Sequence, residues 1–248
     1  MYENHYFKFS NSVVVAPLLA VLLIWTVFLV EIRFGVNLNQ YGVYPKTLSG
    51  LKGVVFSPFI HGSVEHLYNN TIPLAVLLTA LFYFYRSVAL RVLILGVLLS
   101  GLFTWAIGRP SYHIGASSVI YVLVSFIFFK GVFTKYYRLV ALSLIVVFIY
   151  GSMLWYIFPV KDGISWEGHL GGFLTGFALA FFMKTKMPSS KKFDWEHEGY
   201  NEEDDEFLKQ FDEKGNFIEI EKEELPADTE PINIKYHFRK DKDSNSEF

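Results

Sequence analysis

Cysteine is absent from the chain, which excludes disulfides and thiolate chemistry and leaves the redox compartment unreadable. Charge is scarce over the first three quarters: residues 1–183 hold eleven Lys/Arg and five Asp/Glu, a balance of +6. Residues 184–248 hold eleven and nineteen, a balance of −8, so the modest overall charge conceals a sharp break. We read residues 1–183 as a membrane body and 184–248 as an acidic cytoplasmic tail. The small residues of a signal-peptide cleavage site are also missing after the first apolar run, Val13 to Val30, where Glu31-Ile32-Arg33 follows instead. That run is therefore expected to stay as a first membrane helix. What is plentiful is apolar: 52% of the 248 residues are hydrophobic, with 25 Phe and 15 Tyr, in blocks long enough for a multi-pass membrane protein.

Five further apolar segments follow, from about His66 to Tyr85, Val88 to Ile107, Ser117 to Phe129, Leu139 to Phe158 and Trp166 to Met183. Between the first and second lies a long loop, residues 34–65, with turn signals at Gly42, Pro45, Ser49-Gly50 and Pro58. A loop of that length is expected to pack on the membrane body or to form a functional surface. Ten Lys/Arg flank the segments on one side and five on the other, which predicts both termini in the cytoplasm with six spans between them. The fold class expected is an all-α polytopic membrane protein, a six-transmembrane-helix bundle with N-in/C-in topology and a mostly disordered acidic tail.

The polar residues inside these segments are few enough to compare by depth. Ser117 lies 13 residues from Lys130, about 20 Å above the cytoplasmic face if that lysine marks it. By the same measure His169 stands about 22 Å from Lys184, Asn70 about 24 Å from Arg86, and His66 about 6 Å higher still. Three segments thus bring Ser, His and Asn to one level. A serine hydroxyl needs a base within hydrogen-bond reach, and His169 is the candidate. The Ser117 backbone N–H, the Asn70 amide and His66 could stabilise an oxyanion. His66 and Asn70 are four apart and share a helix face, as do Ser117 and Tyr121, so Tyr121 could pack on the His169 ring. Gly172 and Gly176 form a small-xxx-small face that would let the fourth and sixth helices close up. Each residue also has a purely structural alternative: serine back-bonded to its own helix, histidine bridging helices, tyrosine at the interface. His113 is given no role; Asp162 and Glu167 lie near the start of the sixth span on the outward side, and Glu167, two residues from His169, is taken as a surface residue, with orienting the histidine as its alternative.

Three stretches carry a resemblance: His61-Gly62-Ser63-Val64-Glu65-His66-Leu67-Tyr68-Asn69-Asn70, then Gly115-Ala116-Ser117, then His169-Leu170-Gly171-Gly172-Phe173-Leu174-Thr175-Gly176. Over roughly residues 12–183, and in this order on the second, fourth and sixth spans, they resemble the rhomboid intramembrane serine proteases. The resemblance implies a Ser–His dyad without a third acidic member, Ser117 as nucleophile and His169 as base and later acid. It also implies an oxyanion hole of His66, Asn70 and the Ser117 amide, and a supporting role for His61 in the outer loop, alongside Gly115, Tyr121, Gly172 and Gly176. The implied partners are transmembrane protein substrates and the lipid bilayer, with no cofactor, metal or nucleic acid. The chain departs from the family in having Ser118 where Gly usually follows the nucleophile, with activity expected to survive. It also has Tyr41-Gly42-Val43-Tyr44-Pro45 where a Trp-Arg pair is often found.

Two other readings stand beside this one. A catalytically inactive relative would bind transmembrane segments without cutting them. A metal site or transporter would use His61, His66, His113 and His169, although the spacing is not His-Glu-x-x-His. In the tail, Glu202 to Glu206 is an acidic run, and Asn216 to Glu221 and Ile232 to Phe238 alternate as short strands would. A bacterial plasma membrane is the expected location.

Overall fold

The computed structural model describes residues 7, 9–161, 163–185, 193, 195, 198–212 and 214–218. The chain divides into two compact units, residues 1–190 and 191–248. The first contains seven α-helices among the described residues: α1 (Ser12–Phe34), a four-residue α2 (Gly53–Phe56), α3 (Val64–Phe84), α4 (Ala89–Ile107), α5 (Ser117–Thr134), α6 (Tyr137–Tyr150) and α7 (Trp166–Phe182). Five of these elements are long and apolar enough to cross a membrane: α1, α3, α4, α5, and α6 with its continuation to Ile157. At 17 residues α7 is shorter, about 26 Å of helix.

Local chemistry explains the helix ends. Gly35, in the left-handed region at φ 63°, closes α1 with its N–H on the Glu31 carbonyl. Ser63 caps α3 from an extended backbone, its hydroxyl accepting the His66 N–H at 3.1 Å. Ser165 does the same for α7, accepting from Gly168 at 3.3 Å, with Glu167 in the first turn where the helix dipole favours an anion.

The bundle is organised around α5. Some 61% of it is buried, against 17–39% for the other four candidate spans, so α5 forms the core while its neighbours keep a face for lipid. Its most intimate partner is α7. A Cβ placed on Gly172 would lie 2.2 Å from the Ser118 carbonyl oxygen, and one on Gly176 would lie 2.3 Å from that of Val122. Only glycine permits that approach.

The structure corrects three sequence expectations. The α5 helix runs past Lys130 to Thr134, and Lys130 is buried rather than an exposed marker of the membrane face. Its ammonium donates to the Ala180 carbonyl at 3.1 Å and to that of Met183, satisfying carbonyls at the end of α7 that have no intrahelical donor. The fifth segment is not α-helical to Phe158: α6 ends at Tyr150 and continues as a 3-10 helix, Gly151–Ile157. The third correction, at Glu167, belongs to the site.

The loop between α1 and α3 packs onto the body. Gly50, Val54, Ser57 and Pro58 are buried, and the Trp105 indole of α4 donates to the Thr47 carbonyl at 2.8 Å. An isolated antiparallel bridge joins Val43 to His113. In the second unit the described residues make two short 3-10 turns, Glu202–Asp204 and Leu208–Gln210, and an isolated bridge between Phe211 and Phe217. The segment Ile232 to Phe238 lies outside the described residues.

Packing this tight makes a sharp stability forecast. Gly172→Ala and Gly176→Ala are each expected to destabilise the protein by about 1–3 kcal/mol through overpacking. Gly151→Ala, whose added Cβ would meet nothing closer than 3.6 Å, is expected to change it little. Thermal unfolding of the detergent-solubilised variants checks the contrast.

Candidate active site

Ser117 is the first residue of α5, placed there by a loop whose backbone is pinned on both sides. Gly115 takes φ +103°, a conformation that side chains disfavour, and its N–H donates to the Ser57 carbonyl at 2.9 Å. The next amide, Ala116 N–H, donates to His61 Nε2 at 3.4 Å. The chain therefore enters α5 with the Ser117 hydroxyl half-buried and its amide in the first helical turn, where N–H groups lack intrahelical acceptors.

His169, one turn into α7, meets that hydroxyl: Nε2 stands 3.0 Å from Ser117 Oγ. The other ring nitrogen, Nδ1, is 3.0 Å from the Tyr156 carbonyl. A carbonyl can only accept, so Nδ1 carries the proton and Nε2 presents its lone pair to the serine. Tyr121 stacks on the imidazole with centroids 4.3 Å apart and 14° between planes. Its hydroxyl donates to the Met153 carbonyl at 2.5 Å, tying the same 3-10 segment that holds Nδ1. The ring is thus fixed by a stacking face, an acceptor and the serine.

The α3 residues lie on the opposite side of the loop. A Cβ on Gly115 would fall 2.5 Å from His66 Nε2, so the missing side chain makes room for that ring, while Asn70 Nδ2 would stand at ordinary contact distance, 3.8 Å. Asn70 is buried and donates one amide hydrogen to the His66 carbonyl at 2.9 Å, leaving a second N–H on that nitrogen. His61 is buried and packs edge-on against His66, centroids 5.0 Å apart. Burial, with His66 beside it, pushes the His61 imidazole down to about 4 despite the opposing Phe59 carbonyl. It is therefore neutral at pH 7, with Nε2 free to accept from Ala116. A cavity of about 20 Å³, lined in part by Thr104, Ser117, Ser118 and Ser165, lies beside the serine, with room for about one water molecule.

Sequence reasoning missed three parts of this arrangement. The Tyr156 carbonyl is a backbone group, which no side-chain pattern reveals. Glu167 is not a surface residue but fully buried, its carboxylate paired with Arg109 at 2.7 Å. On the helix it points away from His169, and its partner is a guanidinium, so it does not complete a triad. His113, left without a role, is buried with Nδ1 2.6 Å from Ser165 Oγ and Nε2 3.1 Å from the Arg109 carbonyl. The acidic first turn behind a serine N-cap at Ser165 was the available signal for a buried carboxylate there. Asp162 lies outside the described residues. Among the described residues no three His, Asp or Glu side chains gather as a metal would require. Instead His169 and His113 are engaged with hydroxyls and carbonyls.

An all-helical, multi-pass membrane protein with a part-buried serine–histidine contact at the start of two of its helices is the class these observations define. Residues 49–186, more than half of the chain, match the Rhomboid domain, and the chain belongs to the rhomboid family. It is 36% identical over 177 residues to uncharacterized proteins of Mycobacterium bovis and Mycobacterium tuberculosis, covering 66% of this chain and 72% of each relative. An uncharacterized protein of Mycobacterium leprae is 32% identical over 158 residues, covering 59% and 62% respectively.

Two measurements follow from the geometry. Gly115→Ala is expected to displace His66 and to slow any reaction at Ser117 by about 10-fold or more, read as the rate of covalent modification of folded protein. Acid should also loosen the site. His61, depressed to about 4 from an unfolded value near 6.5, contributes stability above about 6.5 that is lost as pH falls towards about 4. His113 is depressed in the same direction by burial. Melting temperature should therefore fall across that window, and His61→Gln should flatten the fall.

Proposed function

We propose that the protein is a rhomboid-type intramembrane serine endopeptidase that cleaves transmembrane segments of membrane-anchored proteins near the outward face. The observation that carries this reading is the 3.0 Å contact between His169 Nε2 and Ser117 Oγ, with Nδ1 held by the Tyr156 carbonyl. In the proposed reaction Ser117 Oγ attacks the scissile carbonyl while Nε2 takes its proton. The Ser117 amide, the second N–H of Asn70 and His66 hold the developing oxyanion. The imidazolium then protonates the leaving amine, giving an acyl-enzyme, and His169 next deprotonates the water that hydrolyses it. Among the described residues no carboxylate hydrogen-bonds the histidine, whose ring nitrogens face the Tyr156 carbonyl and Ser117. The Tyr156 carbonyl fixes its tautomer and the Tyr121 ring its plane.

The rest of the reading follows the same line. Residues 1–183 would form the protease domain, with α7 as a sixth span, both termini in the cytoplasm and the bacterial plasma membrane as the site of action. Residues 184–248 would be an acidic cytoplasmic tail. No metal or cofactor enters the chemistry. A second reading, an inactive rhomboid-like protein that binds transmembrane segments, is favoured only if Ser117 proves unreactive in folded protein, since binding needs neither an oriented imidazole nor an oxyanion site.

Labelling of detergent-solubilised protein with a fluorophosphonate probe separates the two. Wild type is expected to be labelled at Ser117, with Ser117→Ala unlabelled and His169→Ala slower by about 10³-fold or more, and a chelator without effect. A folded wild type that does not label would favour the binding reading.

A further inference from the structure

Ser117 and His169 sit on different helices, so their 3.0 Å contact depends on how the loop before α5 is docked against the start of α7. Beyond the glycine seam between α5 and α7, that docking is made by polar groups. Arg109, in the loop and eight residues before Ser117, offers three groups to α7 and the turn before it. Its backbone N–H reaches Glu167 Oε1 at 3.1 Å, its Nε the same oxygen at 2.7 Å, and its terminal nitrogen the Ile164 carbonyl at 2.7 Å and Glu167 Oε2 at 3.4 Å. The Arg109 carbonyl is bound in turn by His113 Nε2, and His113 Nδ1 meets Ser165 Oγ, the cap of α7. Since Ser165 Oγ accepts from Gly168, its own proton is free for Nδ1, which leaves the Nε2 proton for the Arg109 carbonyl. The Arg109 bonds and the His113–Ser165 bond thus run between the loop carrying the nucleophile and the start of α7, and the His113–Arg109 bond ties them together within the loop.

The charge distribution is unusual for a structural pair. Glu167 is fully buried, while the Arg109 side chain is nearly half exposed. A buried carboxylate is costly, and replacing such a pair by apolar groups of similar size is often neutral or stabilising. Its placement two residues from His169 is better explained by geometry than by stability.

We propose that the Arg109–Glu167 ion pair is a positioning device, which sets the distance between Ser117 and His169 by fastening the α4–α5 loop to the first turn of α7. Neither residue touches the reacting atoms. The inference rests on the protease reading above and adds to it the residues that hold the dyad together.

The test measures the second-order rate of fluorophosphonate labelling at Ser117, per folded molecule, together with melting temperature. Arg109→Met is expected to label about 10-fold or more slowly than wild type, and Arg109→Lys to recover most of the rate. Arg109→Met strands the buried Glu167 charge and is expected to melt well below wild type. The double variant Arg109→Met/Glu167→Leu, which buries no charge, should then label slowly while melting near the wild-type temperature. As a control for simple destabilisation, Ser143→Ala removes a buried hydroxyl bonded to the Leu139 and Phe128 carbonyls. It should melt lower and label at the wild-type rate. Wild-type labelling rates in the double variant would overturn the positioning role and leave the protease reading intact. An unlabelled wild type would overturn both.

Discussion

The contact on which everything else depends is the glycine-to-backbone packing of α7 on α5. Gly172 and Gly176 have no side chains, and the carbonyls of Ser118 and Val122 occupy the space where Cβ atoms would lie. Helices in lipid gain nothing from excluding water from one another, so close van der Waals packing and hydrogen bonds must hold them. Here the seam does both. Ser125 Oγ of α5 donates to the Phe173 carbonyl of α7 at 2.7 Å, and Lys130 closes the far end on the last carbonyls of α7. With the seam fixed, a serine at the start of one helix and a histidine in the first turn of the other meet at hydrogen-bond distance.

Two polar assemblies bracket that seam, and they differ in kind. At one end a single ammonium satisfies carbonyls that the helix leaves open. At the other, an ion pair, a histidine and a capping serine join the loop before α5 to the turn before α7. Between them the contact is mostly apolar, and α5 is the most buried of the candidate spans. Rigidity at the site is thus supplied from outside the reacting groups. That would suit the proposed Ser117–His169 dyad, whose imidazole is oriented by a carbonyl and a stacked ring.

Much of this was legible in the residues. Apolar block lengths located the helices within a few positions, because hydrogen bonds inside lipid must close within each segment. Depth counting brought Ser117, His169 and Asn70 to one level. The i, i+4 spacing of Ser117 and Tyr121 placed the ring that the structure stacks on His169. What escaped depends on tertiary context. Lys130 looked like a boundary charge because sequence cannot show that open carbonyls wait for it inside the bundle. Glu167 looked exposed because its partner, Arg109, is 58 residues away and reaches it only when the loop folds back. The change from α to 3-10 helix after Tyr150 leaves no mark in an apolar run, and the carbonyl of Tyr156 belongs to that change.

Proteolysis in a bilayer is the most direct test of the central claim. The purified protein would be reconstituted in liposomes with a single-span substrate bearing small and helix-breaking residues near one membrane face, and the products sized by mass spectrometry. The account predicts a single cut within the membrane segment by wild type, with no product from Ser117→Ala. A folded, reconstituted wild type that leaves a panel of such substrates intact, or product formation that persists in Ser117→Ala, would contradict it.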